Sequence, residues 1–128
     1  MINKKLVLMF ALAAILAIVA ANTLSAPTVA PKGYAIAEIS VTDPEAYKQY
    51  VSAVSPIIAQ FEGKYLVRAG TIVPLEGEAP TGRVLVIEFP SLAIAKSFEA
   101  SQQYLEIAPL RQRASRSRLF LVEGSPQP

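Results

Sequence analysis

A chain of 128 residues has room for one domain and an appendage. It contains no Cys and no His, which excludes a disulfide framework, a thiol nucleophile, a thiolate metal site, serine–histidine hydrolysis and zinc hydrolysis. Any catalysis must use carboxylate, Tyr, Lys or Arg, and neither a metal nor another cofactor is expected. The formal charge of +2 is owed to Lys4 and Lys5, since the rest of the chain sets ten bases against ten acids. A domain so close to neutral gives no ground for nucleic-acid binding.

Lys4-Lys5 precede Leu6 to Ala21, sixteen residues without a charged or polar side chain. A basic start followed by such a run reads as a secretory signal. It is a little short for a membrane span, which takes about 20 residues. Residues 1–25 are therefore read as a signal peptide or an uncleaved N-terminal anchor, and the protein as exported, periplasmic or secreted. Any contact with a membrane is expected through this segment alone. Residues 26–32, with Pro27 and Pro31, form a spacer, residues 33–124 the domain and residues 125–128 a tail.

The first strand, Tyr34–Val41, alternates Tyr34, Ile36, Glu38 and Ser40 with Ala35, Ala37, Ile39 and Val41. A helix then starts with Asp43 as N-cap, Pro44 in the first position and Glu45 favoured by the dipole. Tyr47, Tyr50, Val51, Val54, Ile57, Ile58 and Phe61 give it one core face; Pro56 should kink or restart it, and Gly63 should end it. Lys64–Ile72 reads as the second strand, with a bulge or close approach at Gly70. Residues 73–82 form a long hairpin loop.

The third strand is Arg83-Val-Leu-Val-Ile-Glu-Phe, closed by Pro90. Its apolar β-branched run reads as a strand covered on both faces, and Glu88 within it needs a partner or a job. Ser91 caps a second helix to about Ala100. Ser101 caps a further turn carrying Tyr104, and Pro109 should restart the helix towards Arg116. Leu119–Val122 is the fourth strand. The order β-α-β-β-α-β predicts an α+β, ferredoxin-like fold: a four-stranded antiparallel sheet, both helices on one face, the third strand between the first and second. The bare face would carry Val84, Val86 and Glu88, or their neighbours if the phase slips by one residue, and an apolar face of that size predicts a homodimer.

Gly33-Tyr34, Val41-Thr-Asp-Pro-Glu-Ala-Tyr47, Gly63-Lys-Tyr-Leu-Val-Arg68-Ala-Gly70, Val86-Ile-Glu-Phe-Pro-Ser91, Ser101-Gln-Gln-Tyr104, Pro109-Leu-Arg111 and Val122-Glu-Gly124 together resemble the family catalogued as domain of unknown function 1330, in the dimeric α/β-barrel superfamily. The resemblance covers the whole domain. It departs at Phe98-Glu99, where an aromatic pair is usual, at Gln102 and at Ala69. That superfamily includes cofactor-independent oxygenases, isomerases and haem enzymes, while this branch has no agreed activity.

Five residues are candidates for binding a small organic ligand. Arg68 and Glu88, on hairpin-paired strands, are expected in one cleft between the sheet and its dimer mate, either as a structural ion pair or orienting a substrate anion. Ser101 and Tyr104 sit at the helix restart; Tyr104 could hydrogen-bond a substrate oxygen, and capping alone accounts for Ser101. Arg111, Arg113, Arg116 and Arg118 read as an anion patch or as cations favoured at a helix end, and only Arg111 falls on the family pattern. Two functions follow: a non-catalytic exported dimer holding a ligand or partner, or a cofactor-independent enzyme of oxygenase or isomerase type with Glu88 as base and Arg68 and Tyr104 in support.

Overall fold

The structure is a computed structural model that describes residues 28–126. The elements are β1 (Gly33–Val41), α1 (Pro44–Gln60), β2 (Lys64–Arg68), β3 (Arg83–Phe89), α2 (Leu92–Ala100), α3 (Gln102–Ala114) and β4 (Ser115–Glu123). The fold is α+β, with the strands in one antiparallel sheet of order β2-β3-β1-β4. The expected β-α-β-β-α-β order is present, and the second helical segment is divided at Ser101.

The helix starts follow from local chemistry. Asp43 accepts from the Ala46 N–H at 3.1 Å, Ser91 from that of Ile94 at 3.2 Å and Ser101 from that of Tyr104 at 3.2 Å, each satisfying a donor the first turn leaves free. At the end of α1 the left-handed residue is Glu62 (φ 58°) rather than Gly63. The Gly63 N–H returns to the Ile58 carbonyl and the Glu62 N–H to that of Ala59, which closes the helix with a Schellman pair.

Local structure differs from the sequence expectation in four places. β2 stops at Arg68 because Ala69 turns left-handed (φ 55°), which no strand accommodates. The irregularity lies between Tyr65 and Val67, not at Gly70. Pro109 does not restart a helix: α3 runs through it, as α1 runs through Pro56. The carbonyls each proline leaves unpaired belong to Ser52 and Leu105, both exposed residues that water can serve. Lastly, α3 stops at Ala114 and β4 begins at once, so Arg116 and Arg118 are strand residues. The Ala114 carbonyl accepts from the Thr42 and Asp43 N–H groups, tying this junction to the start of α1.

The helices cover one face of the sheet. Ala35, Ala37 and Ile39 of β1 and Ile87 and Phe89 of β3 meet Tyr47, Tyr50, Val54, Ile57, Ile58, Ala95, Phe98, Tyr104 and Ala108 in a single core. The opposite face carries Tyr34, Ile36 and Glu38, Val84, Val86 and Glu88, and Arg118, Phe120 and Val122 across the pairing register. Among the described residues no helix is long and apolar enough to cross a membrane. The run Leu6 to Ala21 lies outside the described residues.

Candidate functional site

A cavity of about 270 Å³ lies between the sheet and the helices. Its origin is a shortage of side-chain volume. β1 is a central strand, yet two successive inward positions, Ala35 and Ala37, are alanines. Larger residues stand around them: Ile39, Leu85 and Ile87 on the sheet, Val51, Val54 and Ile58 on α1, Phe98 on α2. The helices rest on these and leave the space above the alanines unfilled. A volume near the lower end of small-molecule sites suits a compact, mostly apolar ligand.

Two guanidiniums stand at the rim, on residues exposed to solvent: Arg68 lies 4.3 Å over the Tyr65 ring and Arg83 5.2 Å from that of Tyr47. Among the described residues the ion pairs are Lys48–Glu45 and Arg118–Glu38, so neither rim arginine has a carboxylate partner. A contact row leads inward from Arg83 to Tyr47 and then to Tyr50, whose rings are 5.8 Å apart. Burial pushes the Tyr50 phenol far up, and interaction with Tyr104 adds to the shift.

The far part of the wall is polar. Tyr104 (3% exposed) packs 4.7 Å from Phe98, and Glu99 lines the cavity beside it. Behind them Arg111, 8% exposed, donates to the Tyr104 hydroxyl at 3.5 Å and to Ser117, with its carbon centre 5.9 Å from the Tyr50 ring. Its Nε has no hydrogen-bond partner. Burial raises the Glu99 carboxyl above the ordinary carboxylate range, opposed in part by the Arg111 charge and the Tyr104 hydroxyl. Burial works against the Arg111 charge too, but Tyr104 and Tyr50 outweigh it and the guanidinium is held more firmly protonated. Among the described residues no group of carboxylates is placed to hold a metal ion.

The five sequence candidates separate. Tyr104 and Arg111 meet at the polar wall, and Arg68 is at the rim. Ser101 stays outside the wall and caps α3, its hydroxyl donating to the Phe98 carbonyl at 2.7 Å. Glu88 is on the other side of the sheet, accepting from the Tyr34 hydroxyl at 3.3 Å. The expected cleft shared by Arg68 and Glu88 does not exist. In the register that starts at Lys64↔Glu88 and Tyr65↔Ile87, Arg68 would fall opposite Val84, on Glu88's face. One extra residue between Tyr65 and Val67 changes the pairing to Val67↔Val86 and Arg68↔Leu85, which turns Arg68 towards the helices. Arg118, read as a helix-end cation, instead pairs with Glu38 at 2.6 Å.

Sequence reasoning missed Tyr47, Tyr50, Arg83 and Glu99. The two tyrosines lay on the apolar face of α1 and passed as core. Arg83 looked like a strand boundary. Glu99 had one signal, its place in an aromatic pair of the family pattern.

The family profile described as Domain of unknown function (DUF1330) matches residues 32–125. The chain belongs to the DUF1330 family. Among solved structures, a protein of unknown function from Rhodopseudomonas palustris is similar at 20% identity, with 88% of this chain and 93% of that one covered and a TM-score of 0.60. SnoaB, a cofactor-independent oxygenase from Streptomyces nogalater, is similar at 13% identity over 77% of this chain and 97% of its own, with a TM-score of 0.55. At these identities the likeness is one of fold, the dimeric α/β-barrel type. No curated protein matches the chain. In this DUF1330 domain the cavity's contents therefore rest on its own side chains.

Proposed function

We propose that the protein is an exported homodimer whose protomers each bind a small, largely apolar organic anion in the cavity between sheet and helices. The observation that carries this reading is the cavity itself: an apolar floor over Ala35 and Ala37 with two acid-free guanidiniums, Arg68 and Arg83, at its rim. Apolar walls supply affinity by removing ligand surface from water, and the rim arginines orient a carboxylate or phenolate head. The basic start at Lys4-Lys5 and the uncharged run that follows it support export. Ile36, Val84, Val86, Phe120 and Val122, on the sheet face that the helices leave uncovered, support self-association.

Titrating the purified protein with 2-naphthoate by calorimetry tests the binding. Ala37→Leu, which fills the floor, should abolish it while the fold stays intact. Arg68→Met and Arg83→Met should each weaken it about tenfold, and the wild-type affinity should fall as salt rises. Unchanged binding in Ala37→Leu would refute the site. Cell fractionation and sedimentation check export and dimerisation; a full-length cytoplasmic protein, or a stable wild-type monomer, would count against them.

A second reading, a cofactor-independent enzyme, is favoured by the half-buried carboxylate of Glu99 and the two tyrosines in the same wall, on a fold that SnoaB shares. Its base would be Glu99, since Glu88 faces away from the cavity.

A further inference from the structure

The polar wall holds a cation that has no ion-pair partner among the described residues. Arg111 is buried, has no carboxylate within ion-pair distance among the described residues, and directs its hydrogen bonds to two neutral hydroxyls, Tyr104 and Ser117. Its Nε is left over. A buried guanidinium so placed is costly unless an anion forms beside it. The hydroxyl it donates to, Tyr104, also interacts with the carboxyl of Glu99 and with Tyr50. Arg111 thus holds the Tyr104 oxygen, and both Tyr104 and Glu99, whose side chains act on one another, face the cavity.

We propose that Glu99 and Tyr104 are an acid–base pair for keto–enol proton transfer on a ring-bearing carboxylate with an acidic carbon beside a ketone. The ring would lie over Ala35 and Ala37, and its carboxylate would meet Arg68 and Arg83; this rests on the anion-binding reading above. The Glu99 carboxylate removes the proton from the acidic carbon. The C–H electron pair becomes the C=C bond, and the carbonyl π pair moves to oxygen, which takes the Tyr104 proton to give the enol. Tyr104 is then a phenolate beside Arg111, and the proton held by Glu99 passes to it. Protons and charge balance, and no oxidant or metal is consumed. Arg111 is a positioning residue: it holds the Tyr104 hydroxyl, and its charge faces the oxygen on which negative charge develops in this step. Burial of the Glu99 carboxyl brings its basicity closer to neutral pH, where such a base works best.

The probe is 6-carboxy-2-tetralone, whose C1 protons lie between the ring and the ketone. Calorimetry of the full chain measures its binding, and proton NMR in deuterium oxide measures C1 exchange. Binding is expected with wild type, together with exchange faster than in buffer. Glu99→Gln should retain binding within about threefold and lose about a hundredfold in exchange rate, as should Tyr104→Phe. Arg111→Lys should recover part of the rate that Arg111→Met loses, which a purely structural role would not require. Bound probe without accelerated exchange overturns the proton transfer and leaves the binding site standing. Acceleration that survives in Glu99→Gln overturns the assignment of the base. Failure of the probe to bind overturns the anion-binding reading, and the proton transfer with it.

Discussion

Gly77 and Gly82 lie in the loop between β2 and β3 with nearly the same left-handed backbone, φ 72° and φ 71°. Their surroundings are opposite. A Cβ on Gly77 would meet nothing within 4 Å, whereas one on Gly82 would stand 2.2 Å from the Ile39 carbonyl oxygen and 2.7 Å from its carbon. Gly77→Ala therefore carries only the left-handed cost of about 1–2 kcal/mol. About 0.4–1 kcal/mol of this is offset by the reduced freedom of the unfolded chain. Gly82→Ala adds an overlap with backbone that cannot swing aside, worth roughly 1–3 kcal/mol more. In a domain of this size 1 kcal/mol moves the Tm by about 4–8 °C, so melts and urea titrations should separate the two variants clearly. Gly82 also precedes Arg83, so Gly82→Ala alone should weaken anion binding. Equal destabilisation by the two substitutions would refute the close approach of this loop to β1.

Glu99 links stability to pH. Its folded-state pKa is raised by burial, with Arg111 and Tyr104 the titratable groups that act against the rise. The folded state therefore holds more proton than the unfolded one between the ordinary glutamate value and the raised value, and stability falls as pH rises through that window. Glu99→Gln should raise the Tm above the window and leave it unchanged below, by an amount that solvent screening reduces at this partly exposed carboxyl; a variant no more stable at neutral pH would contradict the burial effect. Glu88→Gln and Arg68→Met, on opposite faces, should be additive within about 0.5 kcal/mol in a double-mutant cycle, and strong coupling would place them together after all. Val86→Glu puts an unpaired carboxylate into the open sheet face and should drive the proposed dimer to monomer or aggregate in sedimentation, at a cost of several kcal/mol; an unaffected dimer would place the interface elsewhere.

The order of elements could be read from the chain because its causes are local. Asp43, Ser91 and Ser101 satisfy helix donors within three residues of themselves, and the alternation in β1 needs no knowledge of its neighbours. The chain left two phases open for β3, and the structure selects the one that buries Ile87 and Phe89 with the helices while Val84, Val86 and Glu88 face away. Tyr104 and Arg111 could be nominated from a family pattern, but not paired, because one turn of helix leaves open what each touches.

The site itself depended on long-range facts. Both Arg68 and Glu88 sit correctly on their strands, and a one-residue bulge decides whether they share a face; no propensity marks Leu66 as the place for it. Ala35 and Ala37 read as ordinary small strand residues, and become a cavity floor only when β1 is central and the helices rest on larger neighbours. Sequence alone determined the kinds of element and their order, and the exclusion of histidine, thiol and zinc chemistry, because these follow from composition and from interactions a few residues apart. Tertiary structure decided which charges meet: the register of β2 on β3 and the stacking of α1, α2 and α3 place Arg68 and Arg83 at a rim and Glu99, Tyr104 and Arg111 behind it, and register is a property of paired strands rather than of either strand alone.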